Sequence, residues 1–173
     1  MTRKWNYPTL SSEEQRLGAE LARRFANCAP VADLLVQRGI TTIDAAEKFF
    51  HPSLRDLHDP FLMPQMDIAV ERLNRAMGSK EKIMIYGDYD VDGTTAVALV
   101  YRYLQNLYSE LDFYIPTRYD DGYGISLQSI DMLAEQGVSL VIILDCGIKA
   151  IDEIKYAKER GIDFIICDHH MPD

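Results

Sequence analysis

The stretch KIMIYGDYDVDGTTA, residues 82–96, decides how this chain folds. Its first five residues, Lys82–Tyr86, are a short apolar run that passes directly into Asp and Gly residues and then into a helical pattern over Thr94–Tyr108. A buried strand that ends on polar residues and feeds a helix is the first half of a βαβ unit. The rhythm repeats downstream. Leu111–Ile115 reads as a second strand, Ser126–Gln136 as a helix and Val138–Leu144 as a third strand. Lys149–Arg160 then reads as a helix closed by Gly161, and Ile162–Cys167 as a fourth strand. Each interval leaves room for a crossover helix, so the expected fold is α/β, with a doubly wound parallel sheet. The unbroken runs VIIL and FIIC predict strands covered on both faces.

Upstream the pattern is helical, and the expected division is a helical region with linker over 1–66 and the α/β domain over 67–173. Ser11 and Ser12 precede Glu14 and Gln15 at capping-box spacing, with Leu17, Leu21 and Phe25 following on one face. Pro30 should break that helix. A second piece runs from Val31 to a terminal Gly39, and a third from Thr42 through Ala45, Ala46 and Phe49 to Pro52. HPSLRDLHDPFLMP (51–64), with three prolines, reads as loop or linker. Asp67 should cap a helix through Ile68, Val70, Leu73 and Met77 that ends at Gly78.

The 173 residues carry 18 Lys+Arg and 27 Asp+Glu, a formal charge of −9. Residues 1–80 hold 11 basic and 10 acidic side chains, net +1, and residues 81–173 hold 7 and 17, net −10. The acidity thus belongs to the α/β half, which on its face repels nucleic acid and attracts cations. At 47% hydrophobic and 26% charged the composition excludes a disordered or collagen-like chain. Cys28, Cys146 and Cys167 show no paired spacing, which argues for a reducing compartment. The start, MTRKWNYPTL, lacks an apolar signal region, and no apolar run approaches the roughly 20 residues of a membrane helix. The expected location is the cytoplasm, with no membrane partner.

Where do the carboxylates fall? Asp88, Asp90 and Asp92 follow the first strand, Asp145 ends the third, and Asp168, His169 and His170 end the fourth. Ligands of open α/β sheets bind beyond the carboxyl ends of the strands, so five Asp and two His should converge on one edge. Packed carboxylates repel one another unless protonated or bridged by cations. Asp and His together suit Mn²⁺, Mg²⁺ or Zn²⁺, while the lack of Cys pairs argues against structural zinc. Such a set could hold two ions at the roughly 3.5–4 Å separation of phosphoryl-transfer sites. The competing reading is that these aspartates only cap helices. For Asp145 alone the two readings balance; for the whole set, capping requires neither D-x-D-x-D nor paired histidines. DYDVDG also matches the opening of a calcium EF-hand, but position 12 from Asp88 is Leu99 where that loop needs Glu, and a strand precedes it. DVDGT (90–94) matches the haloacid-dehalogenase phosphotransferase signature, which leaves Asp168–His170 unaccounted for.

Taken in order, YGDYDVDGTTA (86–96), PTRYDDGYGIS (116–126), LDCG (144–147) and CDHHMPD (167–173) resemble the DHH phosphoesterase superfamily. Within it they are most similar to its single-strand-DNA-specific exonucleases. The likeness covers 67–173, and FFHPSLRDLHDPFLMP (49–64) resembles the region preceding the core of those enzymes. The resemblance implies metal ligands at Asp90, Asp92, Asp145 and His169, with Asp145 bridging. It gives Asp88 a role as ligand or as support to the ligands. Asp168 would orient the histidines, and His170 would face the scissile phosphate. The implied reaction is 5′→3′ hydrolysis of single-stranded DNA to mononucleotides with two Mn²⁺ or Mg²⁺ ions, in recombination and repair. Single-stranded DNA is the implied partner, with a single-strand-binding protein and a helicase beside it. Alternatives are a phosphodiesterase for short oligonucleotides or cyclic dinucleotides, and a non-catalytic binding unit. The family also needs a further metal-binding Asp and a cleft-closing domain beyond the DHH triplet, and its exonucleases add an OB-fold. The chain stops at Asp173, so the expectation is an N-terminal part of a longer enzyme, binding metal weakly and nearly inactive alone.

Arg118 and Tyr123 lie beyond the second strand, where they could contact a DNA phosphate or stack on a base, with Gly122 allowing the turn. An ordinary loop is the equal alternative. Gly87 and Gly93 should permit close backbone approach. Arg23 and Arg24 read as a solvated face, His51 and His58 as structural, Cys146 and Cys167 as buried small hydrophobes, and Tyr101, Tyr103 and Leu104 as core or helix-contact residues.

Overall fold

A computed structural model describes residues 8–25, 28–117 and 124–172 of the chain. The apolar runs become four strands: β1 (Lys82–Gly87), β2 (Leu111–Tyr114), β3 (Val138–Leu144) and β4 (Asp163–Cys167). All pair in parallel, in the order β2-β1-β3-β4. The chain moves one way from β1 to β2, then crosses back over β1 to reach β3 and continues to β4. That reversal places a switch point between the carboxyl ends of β1 and β3, where Gly87 registers with Leu144.

Strand alternation sorts the core into two layers. Ile83, Ile85, Leu140, Ile142 and Leu144 face one side, packed with Ala76, Val97 and Leu104 from α4 (Met66–Gly78) and α5 (Val91–Leu104). Met84, Tyr86, Val141 and Ile143 face the other, with Ile130, Leu133 and Ala157 from α6 (Leu127–Glu135) and α7 (Ile151–Glu159). The expectation of two covered faces therefore holds for β1 and β3. It fails for β4, an outermost strand flanked on one side only among the described residues, where Ile166 and Cys167 are exposed. Cys167 is thus not the buried hydrophobe expected, whereas Cys146 is fully buried. Tyr103 also departs from the expectation. Val97 and Leu104 point at the sheet, and Tyr103, a residue short of Leu104 on a 100° helical step, is turned to solvent.

Helix starts differ: α2 (Ala29–Gln37) begins two residues before Val31, α7 (Ile151–Glu159) two residues after Lys149, and two other starts bear on the site. α5 begins at Val91 rather than Thr94, because Asp90 caps it and draws Asp92 and Gly93 into the first turn. α4 begins at Met66 behind a left-handed Gln65, so Asp67 is not the cap. It lies in the first turn, where a carboxylate still favours the helix dipole. Ser126 caps α6, its hydroxyl accepting the Ser129 N–H.

The chain divides into compact units between Pro60 and Phe61. In the first, helices α1 (Ser12–Arg24), α2 (Ala29–Gln37) and α3 (Ile43–Phe50) bury Leu21, Ala32, Leu35, Val36 and Ala46. Of the two candidate caps Ser11 is used, in a capping box with Glu14. Pro30 does more than interrupt; it sits in the first turn of α2, where a missing N–H costs nothing. Arg24 reaches Glu47 at 2.7 Å on an exposed face, a pair worth about 0–1 kcal/mol. Among the described residues no helix is long and apolar enough to cross a membrane.

Candidate metal centre

β1 delivers its polar extension to the switch point through two close approaches. A Cβ on Gly87 would lie 2.3 Å from a Val97 methyl, and one on Gly93 would lie 2.5 Å from the Asp88 carbonyl oxygen. Only glycine lets α5 press onto the bend. Asp88 is buried there at 3% exposure, and its Oδ1 has no hydrogen-bond partner among the described residues. Asp90 caps α5, its Oδ1 accepting the Gly93 N–H at 3.0 Å. Asp92 lies in the first turn and is exposed.

β3 delivers Asp145 in the left-handed region, at φ 61°. Its N–H donates to the Cys167 carbonyl at 2.9 Å, which ties the end of β3 to the end of β4. Asp145 caps no helix, since α7 starts behind Ala150. Of the two readings that balanced at this residue, capping is excluded. Its Oδ1 stands 3.0 Å from His169 Nε2.

Asp168 closes the arrangement. Its Oδ2 accepts the Ile148 N–H at 3.0 Å, and its Oδ1 accepts the His170 N–H at 3.1 Å and meets His170 Nδ1 at 2.7 Å. One carboxylate thereby joins the loop after β3 to the loop after β4 and sets the His170 ring. The His169 and His170 rings lie 4.6 Å apart. Ligand-capable atoms of Asp145, His169 and His170 all fall within 4.8 Å of one another.

The electrostatics follow. Burial, then the neighbouring Asp90, raise Asp145 above the ordinary carboxylate range, and His169 offsets part of this. Burial alone would raise Asp168 too, but the donors from His170 and Ile148 outweigh it and hold this carboxyl below its usual value. The bond to Asp168 raises His170. Burial, with Asp88 and other nearby aspartates, pushes the Cys146 thiol up to about 12, so it is no nucleophile.

A divalent cation fits this donor set. Carboxylate oxygens and imidazole nitrogens converge, Asp90 and Asp92 raise the proton affinity of Asp145, and a buried Asp88 oxygen lacks a donor among the described residues. Asp145, His169 and His170 are brought together, Asp90 and Asp92 contribute to the field at Asp145, and Asp168 stands behind the histidines. Arg118, Gly122 and Tyr123 lie outside the described residues. Two contributors carry no residue-type signal at all, the Ile148 N–H and the Cys167 carbonyl, because both are main-chain groups.

An α/β edge of this kind defines a class. The family described as "DHH family, N-terminal domain" matches residues 82–173, more than half of the chain, and the chain belongs to the DHH family. More particularly, it is 48% identical over 142 residues to the single-stranded-DNA-specific exonuclease RecJ of Bacillus subtilis, an alignment covering 82% of this chain and 18% of that protein. A crystal structure of exonuclease RecJ bound to manganese matches 61% of this chain and 27% of its own at 33% identity, with a TM-score of 0.57. The RecJ–Mn²⁺ structure from Thermus thermophilus matches 91% of this chain and 22% of its own at 24% identity and a TM-score of 0.68, a likeness of fold. The chain spans about a fifth of the length of the curated relatives it matches.

Proposed function

We propose that this chain carries the metal-binding part of a phosphodiesterase that degrades single-stranded DNA 5′→3′ to mononucleotides, in recombination and repair. One observation carries the reading: Asp145, His169 and His170 present their ligand atoms within 4.8 Å at the carboxyl end of a parallel sheet. The manganese-bound RecJ exonuclease that the chain resembles supports it. In this reading Asp90, Asp92, Asp145 and His169 would hold two Mn²⁺ or Mg²⁺ ions, with Asp88 completing or supporting the set. When bound, the ions would add +4 to the acidic edge, stabilise charge on the phosphoryl oxygens and lower the pKa of water. Asp168 orients His170 toward the scissile phosphate, and Arg118, Gly122 and Tyr123 take the DNA strand. The protein works in the cytoplasm with a single-strand-binding protein and a helicase. Residues 1–66 form a helical leader, and 67–173 the first part of the catalytic domain. Because the relatives are about five times longer, little nuclease activity is expected from these 173 residues alone.

The test is Asp145→Ala in the full-length protein, assayed on a 5′-phosphorylated oligonucleotide with Mn²⁺. Loss of hydrolysis with retained folding is expected; undiminished hydrolysis refutes the reading.

A further inference from the structure

We infer that Thr94 is a positioning residue, whose hydroxyl fixes Asp90 so that one carboxylate oxygen stays on α5 while the other remains for the site edge. The inference deepens the metal reading above and rests on it for its consequence. Asp90 is held at both ends. Its Oδ1 accepts the Gly93 N–H at 3.0 Å, and its carbonyl accepts both the Thr94 N–H at 3.0 Å and the Thr94 Oγ1–H at 2.7 Å. The hydroxyl's other acceptor, the Val91 carbonyl, is more distant at 3.3 Å.

A single residue therefore supplies two donors to the backbone of the residue that caps the helix it belongs to. Gly93 lies so near the Asp88 backbone that it leaves no room for a Cβ, so it cannot move further toward Asp88 to compensate. A carboxylate that both caps a helix and holds a cation has to keep one oxygen on each task. Any rotation that freed Oδ1 from Gly93 would also re-aim Oδ2. Threonine suits the place for a second reason. Its β-branch stiffens χ1, so the hydroxyl stays on the Asp90 carbonyl. Groups that orient metal ligands in this way typically change metal affinity by about 10–100-fold when removed.

Thr94→Val keeps the shape and removes the hydroxyl; Thr94→Ser keeps the hydroxyl. Two readouts on the 173-residue chain separate a positioning role from a merely structural one. The first is exchange of the Gly93 amide, referenced to the buried Ile85 amide and measured without metal. It should rise about fivefold in Thr94→Val and stay at the wild-type value in Thr94→Ser. The second is Mn²⁺ titration followed by the electron paramagnetic resonance of free Mn²⁺. Affinity should fall about tenfold in Thr94→Val and be retained in Thr94→Ser. Equal Gly93 exchange in wild type and Thr94→Val overturns the inference. So does a Mn²⁺ affinity that survives Thr94→Val, or a Thr94→Ser variant that falls as far. A wild-type chain that binds no Mn²⁺ counts against the metal reading, and the exchange comparison still decides whether Thr94 fixes Asp90.

Discussion

Replacing Gly93 by Ala isolates the contact on which the metal edge is built. The new methyl would sit 2.5 Å from the Asp88 carbonyl oxygen, 2.6 Å from its nitrogen and 2.8 Å from its carbonyl carbon. All three are backbone atoms, so no rotamer change relieves them. The shortest contact falls 0.9 Å short of the 3.4 Å at which ordinary packing begins, and α5 must lift from the end of β1 by a comparable distance. Overpacking of this kind costs about 1–3 kcal/mol. Alanine's helix propensity returns at most about 1 kcal/mol, and less in a first turn. The expected net loss is about 1–2 kcal/mol, a fall in melting temperature of about 2–8 °C. The lift also carries Asp90 away from Asp145, so Mn²⁺ affinity should fall more than tenfold, in line with the loss of a group that orients a ligand. Gly78→Ala is the control: it ends α4 with nothing within 4 Å of a Cβ, and should be neutral or slightly stabilising. Thermal unfolding with and without Mn²⁺ reads both effects. A Gly93→Ala chain that melts and binds Mn²⁺ like wild type would show that the close approach does not build the site.

Three further outcomes follow from groups away from the edge. Arg72 bonds Asp163 at 2.6 Å and Glu81 at 2.7 Å with only 13% of its side chain exposed, so Arg72→Met should cost about 2 kcal/mol in a urea titration; an unchanged midpoint refutes this. The bond from Arg72 depresses Glu81 despite the opposing effect of burial, with Ser139 adding to it. A depressed carboxyl contributes stability above its unfolded pKa and loses it as pH falls through the folded one. The advantage of wild type over Glu81→Gln should therefore be full at pH 7 and shrink below about pH 4; an equal gap at pH 3 counts against it. Finally, Cys28 and Cys167 are exposed while Cys146 is buried and pushed up to about 12, and burial also raises the Cys167 thiol, so a thiol reagent at pH 8 should label Cys28 fastest, Cys167 more slowly, and leave Cys146 until unfolding. Three equally fast thiols would contradict the burial.

The fold was legible because its signals are local and repeated. Val and Ile runs of strand length, each followed by a helical period, leave little besides parallel βαβ units, and β1 and β3 obey the two-face expectation residue by residue. The errors share a different origin. FIIC has the composition of a covered strand, yet exposure at Ile166 and Cys167 depends on which elements lie beside β4, and composition says nothing of that. Tyr103 fails because an aromatic residue on a helix carries no mark of which side meets the sheet.

At the metal edge the division runs between residue types and backbone geometry. Convergence of Asp145 and the histidines could be expected because strand ends of a parallel sheet point one way, however far apart they stand in sequence. The roles within the cluster were not readable, because capping and ligation use the same chemistry. Asp90 caps its helix and Asp145 does not, although both follow strands and either could have done so. What separates them is main-chain conformation. Asp90 has the extended backbone of an N-cap, while Asp145 is left-handed with its N–H spent on the Cys167 carbonyl. A left-handed aspartate is uncommon and is held here by the neighbouring strand rather than by its own preference. The carboxylate that stands 3.0 Å from His169 is therefore placed by β4, so pairing of β3 with β4 is a condition for assembling the centre and not only for closing the sheet.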